Sequence, residues 1–176
     1  MTSKAGPGME GYYCATCGEY HPGPPLSYST EAPHQWFAIP PEERDIRAEL
    51  TSDQCIIDGQ HFFMRGQLEL PIIDYSEPFV WGVWVSLSEE NFWRATDLWD
   101  QVGRENEPPY FGWLCTALPD YPDTLNLRSM LHTRSVGDRP CVELEPTDHP
   151  LAVEQKNGIT INRVREIAET VLHQDS

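Results

Sequence analysis

Basic residues are scarce in this chain. Lysine and arginine together number 12 against 28 aspartates and glutamates, a formal net charge of −16 over 176 residues. Affinity for nucleic acid rests on Lys and Arg neutralising phosphates, so DNA and RNA are not expected as partners. Long apolar runs are also missing. No stretch of about 18 apolar residues occurs, and no membrane-spanning helix or membrane partner is expected. Residues 1–8 hold one lysine with no apolar stretch behind it, which does not read as a secretory leader. A cytoplasmic location is the expectation that follows. Catalytic signatures are equally thin: there is no phosphate loop, dinucleotide glycine pattern, nucleophile elbow or pair of metal-protease histidines. Cysteines number five. In a reducing compartment they read as metal ligands or small buried hydrophobes rather than as disulfides.

What the chain does have is rings. Hydrophobic residues make up only 39%, but aromatics reach 11% with six tryptophans. A core built on large side chains is expected, within a single domain over residues 11–176 behind a disordered tail over residues 1–10. Residues 22–41 are proline-rich and read as an extended connector that packs on the body. Residues 41–50 read as a short helix with Ile46 and Leu50 on one face. Cys55-Ile56-Ile57, the turn Asp58-Gly59 and residues 61–73 read as a β-hairpin. Its second arm turns Phe62, Met64, Leu68 and Leu70 to one side and His61, Phe63, Arg65, Gln67 and Glu69 to the other, with Gly66 as a candidate bulge. Residues 79–87 are apolar on both faces and read as a central strand. Ser88 opens a helix to about Trp99. Residues 103–124 read as an aromatic loop with four prolines and at most one short strand. Two strands follow, near residues 125–134 and 141–145. Thr147 or Asp148 caps a short helix, and residues 160–172 form the last one, with Ile161, Val164, Ile167, Ala168, Val171 and Leu172 as its apolar stripe. The fold class is α+β: one mainly antiparallel sheet with a few helices packed on it.

The feature richest in chemistry is Cys14-Ala15-Thr16-Cys17-Gly18-Glu19-Tyr20-His21. Two thiols separated by two residues reach one tetrahedral ion across a tight turn, and glycine after the second lets the turn continue with φ > 0. His21 is the candidate third ligand and Cys55 the fourth, which defines a Cys₃His zinc site with zinc as the cofactor. Four protein ligands make a structural zinc; a Cys55 that serves only as a core thiol leaves three ligands, a water and a catalytic metal. A redox pair is a further reading, but that motif usually opens a helix, and Gly18 with the prolines beyond opposes one. Two unliganded thiols near a histidine are the bland alternative.

A second candidate is the polar side of the sheet. His61, Arg65 and Glu69 line one face of the hairpin arm; Arg128, His132 and Arg134 line a face of a later strand, and Glu143 joins them. Such a face can bind an anion or supply acid–base chemistry. The blander reading, a solvated face with cross-strand ion pairs, is the commoner arrangement. The loop Pro108-Pro109-Tyr110-Phe111-Gly112-Trp113 is the third candidate. It is rigid and aromatic without clear periodicity, so Tyr110 and Trp113 read as ligand- or partner-binding rings. His149 reads as structural.

Several stretches resemble one bacterial family, domain of unknown function 2199. They are Cys14-x-x-Cys17-Gly18-x-x-His21, Ser52-Asp53-Gln54-Cys55-Ile56-Ile57-Asp58, His61-Phe62-Phe63-x-Arg65-Gly66, Trp81-Gly82-Val83-Trp84-Val85-Ser86-Leu87, Gly112-Trp113-Leu114 and Leu144-Glu145-Pro146-Thr147-Asp148-His149-Pro150-Leu151. The resemblance spans nearly the whole chain. It implies no activity, substrate or partner; its cysteine and histidine positions match Cys14, Cys17, His21 and Cys55. Two readings of function follow. The first is a zinc-stabilised binding domain for a protein or small-molecule partner. The second is a small hydrolase or transferase acting on an anionic small molecule, with His61, Arg65 and His132 in its site. Convergence of those three side chains in one concave pocket distinguishes the second from the first.

Overall fold

A computed structural model describes residues 1–5 and 9–174. Its strands are β1 (Thr2–Ala5), β2 (Tyr12–Tyr13), β3 (Tyr20–His21), β4 (Pro25–Ser29), β5 (Ala48–Leu50), β6 (Gln54–Ile57), β7 (His61–Leu70), β8 (Phe79–Leu87), β9 (Tyr110–Leu114), β10 (Arg128–His132) and β11 (Cys141–Leu144). Its α-helices are α1 (His34–Phe37), α2 (Arg44–Arg47), α3 (Glu89–Asp97), α4 (Pro150–Asn157) and α5 (Ile161–Leu172).

The organising unit is the long antiparallel ladder of β7 and β8, in register from Phe62–Leu87 to Leu70–Phe79. β6 enters it through a hairpin turn in which Asp58 and Gly59 both have positive φ, 52° and 62°. Three residues, Asp58, Gly59 and Gln60, join the paired Ile57 and His61, and the Gln60 N–H donates to the Ile57 carbonyl at 3.0 Å across the Asp-Gly pair. β8 is central: β4 and β9 share its second edge. β9 pairs with β10, β10 with β11, and β11 returns to β7 through a parallel bridge at Cys141 and Gln67. The strands β7-β8-β9-β10-β11 thus close into a five-stranded barrel, where an open sheet was expected. β4 and β1 extend the sheet beyond β8, and β6 and β5 extend it beyond β7.

Alternation decides what fills the barrel. Phe62, Met64, Leu68, Phe79, Trp81, Val83, Val85, Leu131 and Val142 all belong to its main apolar core. Gly66 also faces inward, and the ladder runs through it without a bulge. A methyl group there would lie 2.6 Å from Val142 Cγ2 and 3.1 Å from Leu131 Cδ1. The glycine is therefore set by crowding inside a narrow barrel rather than by a kink. Phe92 of α3 packs on Phe62, ring centroids 5.2 Å apart. At the opposite end of the ladder Ile72 bridges Ile159, between α4 and α5. Val164 and Ile167 of α5 complete the same core.

The outer face of the ladder carries a second, smaller core of Ile39, Cys55, Ile57, Phe63, Trp84 and Cys115. Trp84 is fully buried in it and donates from its indole to the Thr30 carbonyl at 3.1 Å.

Several local expectations are corrected. Thr2–Ala5 is a strand paired with β4 rather than a disordered tail, and residues 6–8 of that span lie outside the described residues. The helix expected over 41–50 is a 3-10 turn (Pro41–Glu43), one turn of α2 and then β5; Ile46 is 86% exposed. The aromatic loop does contain one short strand, as allowed for, and that strand, β9, belongs to the barrel. α4 is capped by His149, whose Nδ1 accepts from the Leu151 N–H at 3.1 Å, rather than by Thr147 or Asp148. Ser88 caps α3 and Thr160 caps α5, as their types favour.

Candidate metal centre

β2 and β3 pair as a small separate hairpin, Tyr12 with His21 and Tyr13 with Tyr20. The turn between them is the Cys-x-x-Cys segment. Cys14 N–H donates to the Glu19 carbonyl and Gly18 N–H to the Cys14 carbonyl, each at 2.9 Å. Gly18 has φ +75°, with open space around its Cα, so conformation rather than packing favours glycine there. The knuckle this forms brings both sulfurs to one side, and the short β3 strand returns His21 to them.

The fourth group comes from the far end of the chain. His173 closes the C-terminus of α5, and its Nε2 lies 3.2 Å from Cys14 Sγ across 159 residues of sequence. His21 Nε2 lies 3.3 Å from Cys17 Sγ. One ligand atom from each of Cys14, Cys17, His21 and His173 falls within 4.8 Å of all the others. A tetrahedral ion with bonds of about 2.3 Å to sulfur and about 2.0 Å to nitrogen places S and N roughly 3.5 Å apart, so the cluster has the dimensions of one ion's coordination shell. Glu169, one turn before His173, accepts from the Ala15 N–H at 2.9 Å and fixes the knuckle on the helix a second time.

The electrostatics favour a thiolate at Cys14. Burial opposes ionisation, but hydrogen bonds from the Cys17 N–H, from His173 and from the Thr16 N–H outweigh it and bring the thiol down from 9.0 to about 6. At Cys17 the Glu19 N–H favours the thiolate, yet burial and the adjacent Cys14 sulfur prevail and push the thiol up. Two thiols that resist ionising together are what a cation placed between them relieves.

Cys55 is not part of this cluster. Alternation in β6 turns Cys55 and Ile57 inward, and Cys55 is 0% exposed within the second core, where burial raises its thiol to about 12. His173 stands in the place expected for it. Sequence reasoning passed over His173 because its one signal, a histidine just past the apolar stripe of the last helix, carries no information about distance to the knuckle.

The polar sheet face does not converge. His61 borders a cavity with Gln35, Phe63 and Ser86, whereas Arg65 borders a different groove with Ser27, Gly82 and Arg139. His132 lies on β10, its Nε2 3.8 Å from a Glu143 oxygen. Glu69 is held by Arg134 at 2.6 Å. The two expected ring ligands part company as well. Tyr110 faces the barrel core at 6% exposure and donates its hydroxyl to Glu107 at 2.7 Å. Trp113 faces outward at 42% exposure beside Phe111.

Fold and cluster together define a class: an α+β protein built on a five-stranded barrel, with a Cys₂His₂ group that can hold a metal ion. The model of a bacterial family, uncharacterized proteins conserved in bacteria (DUF2199), matches residues 13–159, and the chain belongs to that family. Cys14, Cys17 and His21 lie within the matched span and His173 beyond it. No curated protein and no solved structure matches the chain. Among the described residues, no helix is long and apolar enough to cross a membrane.

Proposed function

We propose that this protein is a zinc-stabilised binding module in which Cys14, Cys17, His21 and His173 hold one structural zinc ion. The observation that carries the reading is the gathering of those four ligand atoms within 4.8 Å. Two thiolates and two imidazoles suit zinc by softness and by tetrahedral preference, and carboxylate-seeking magnesium or calcium far less. Four protein ligands complete the tetrahedron, so no position is kept for the water that a catalytic zinc activates. Zinc here ties the N-terminal hairpin to the last helix and closes almost the entire chain into a loop. Binding to such a site favours the folded state directly, because the unfolded chain has no preformed ligand set. The binding role falls to the outer faces of the barrel. The hydrolase or transferase reading loses its support, since His61 and Arg65 border separate hollows.

Elemental analysis of protein purified without added metal tests the metal assignment. About one zinc per chain is the expected result. Protein that folds without zinc and does not take it up at micromolar concentration rejects the assignment.

A further inference from the structure

The groove bordered by Arg65 stands apart from the metal centre. Its floor is Gly82 on β8, flanked in register by Gln67 of β7 and Ser29 of β4. A methyl at Gly82 would lie 2.5 Å from Ser29 Cβ, so the parallel approach of β4 requires the glycine and leaves the floor without a side chain. Hydroxyl-bearing residues of one strand face line one wall, Ser27 and Ser29 of β4 and Thr2 of β1, within a hollow of about 280 Å³. Thr2 and Ser29 share a hydrogen bond of 2.9 Å between their hydroxyls. Arg65 and Arg139 stand on the other side.

The charge balance there is unusual for this molecule. Acids outnumber bases 28 to 12 in the chain. Arg139 is paired with Asp53 at 2.7 Å. Among the described residues the Arg65 guanidinium has no carboxylate within ion-pairing distance, and it donates to the Ser52 carbonyl at 3.3 Å. Of the two guanidiniums only Arg139 is thus ion-paired. Burial and the neighbouring Arg139 charge both work against the Arg65 cation, with Asp53 opposing them only in part. A half-buried arginine placed beside a second one, with hydroxyl donors opposite, is stabilised by an anion between them.

We propose that this groove binds the oxyanion group, phosphoryl or carboxylate, of a small molecule, with Arg65 as its principal anchor and Arg139 as the second. The proposal rests on the binding-module reading and supplies its ligand class. Arg65 grips two oxygens through parallel N–H donors. Arg139 turns part of its fork from Asp53 to the ligand, and the serine and threonine hydroxyls face the remaining oxygens. Asp53 is then a built-in competitor, an internal carboxylate that occupies Arg139 when the groove is free.

The test is an NMR titration of the full-length, zinc-loaded chain with inorganic phosphate and, separately, with acetate, at constant ionic strength. Saturable shifts of the arginine Nε–Hε signals of Arg65 and Arg139 are expected, together with shifts of the β4 and β8 amides. Saturation by phosphate alone assigns a phosphoryl ligand; saturation by acetate, with or without phosphate, assigns a carboxylate-tolerant site. Arg65→Gln is expected to weaken binding about tenfold or more, the scale of a charge-assisted hydrogen bond pair. Arg65→Lys keeps the charge and loses the fork, and an intermediate loss is expected. Asp53→Asn removes the competitor and is expected to tighten binding roughly two- to fivefold, the scale of a partly exposed ion pair. Absence of saturable shifts with either anion overturns the proposal, and so does equal affinity in wild type and a folded Arg65→Gln or Arg65→Lys. Zinc content measured in the same samples separates the two readings: zinc retained without anion binding rejects the groove alone, and anion binding without zinc rejects the metal centre alone.

Discussion

Cys55 and Cys141 are both free thiols, but only Cys55 is sealed, between Ile57, Phe63 and Trp84. Cys55→Ser places a hydroxyl in that apolar pocket and is expected to cost about 1–3 kcal/mol, while leaving zinc content unchanged. Cys141→Ser, at a half-buried site, is expected to change stability by less than about 0.5 kcal/mol. Urea unfolding of both variants alongside metal analysis checks this, and loss of zinc in Cys55→Ser counts against the assignment of the fourth ligand. Gly66→Ala pushes a methyl against Val142 and Leu131 inside the barrel; overpacking of that kind costs about 1–3 kcal/mol. The knuckle thiols differ in their titration, and the difference is measurable. In the metal-free fold Cys14 ionises near about 6, below its ordinary 9.0, whereas Cys17 is raised above 9.0. At pH 7.5 Cys14 is already a thiolate and Cys17 is not, so zinc uptake should release about one proton per chain from the thiols. Calorimetric titrations in buffers of different ionisation enthalpy give that number, and two protons released at pH 7.5 contradict the hydrogen-bond pattern described at Cys14.

At the scale of elements, the candidate metal centre joins a six-residue loop framed by two-residue strands to a twelve-residue helix. His173→Ala removes the only ligand that α5 contributes. Amide exchange over residues 11–21 is expected to speed up sharply in that variant, and by more than in β7 and β8, because the barrel core is not built from knuckle residues. Equal acceleration in the hairpin and in the barrel strands would contradict the anchoring of the hairpin by His173. The elements the sequence made legible are those whose signals are local. The Asp-Gly turn, the strict alternation of β7, the Ser88 cap and the apolar stripe of α5 each lie within a dozen residues. Cys14, Cys17 and His21 were legible for the same reason. β9 was legible only as one short strand allowed within a loop, because Gly112 occupies an inward position between Tyr110 and Leu114 and breaks the apolar rhythm. The glycine is there because a methyl would meet the Ser86 carbonyl of β8 at 2.6 Å, a reason that exists only once the strands are paired.

For the whole molecule, closure is what local pattern cannot convey. Alternation tells which side chains share a face, but not that β11 returns to β7 through one parallel bridge. His173 escaped notice on the same ground, since its place beside Cys14 depends on α5 packing against the barrel 159 residues later. That long span also sets the expected effect of metal removal. Closing a loop longer than about 100 residues constrains the unfolded chain by about 4–5 kcal/mol, and chelation is expected to lower the melting temperature by about 10–20 °C. A melting curve unmoved by chelator would leave zinc without a structural role. The most direct test of the account is X-ray absorption at the zinc edge of the purified, metal-loaded protein. Two sulfur ligands at about 2.3 Å and two imidazole nitrogens at about 2.0 Å are the predicted shell. Three sulfurs, or a light-atom ligand from water in place of one imidazole, would contradict it.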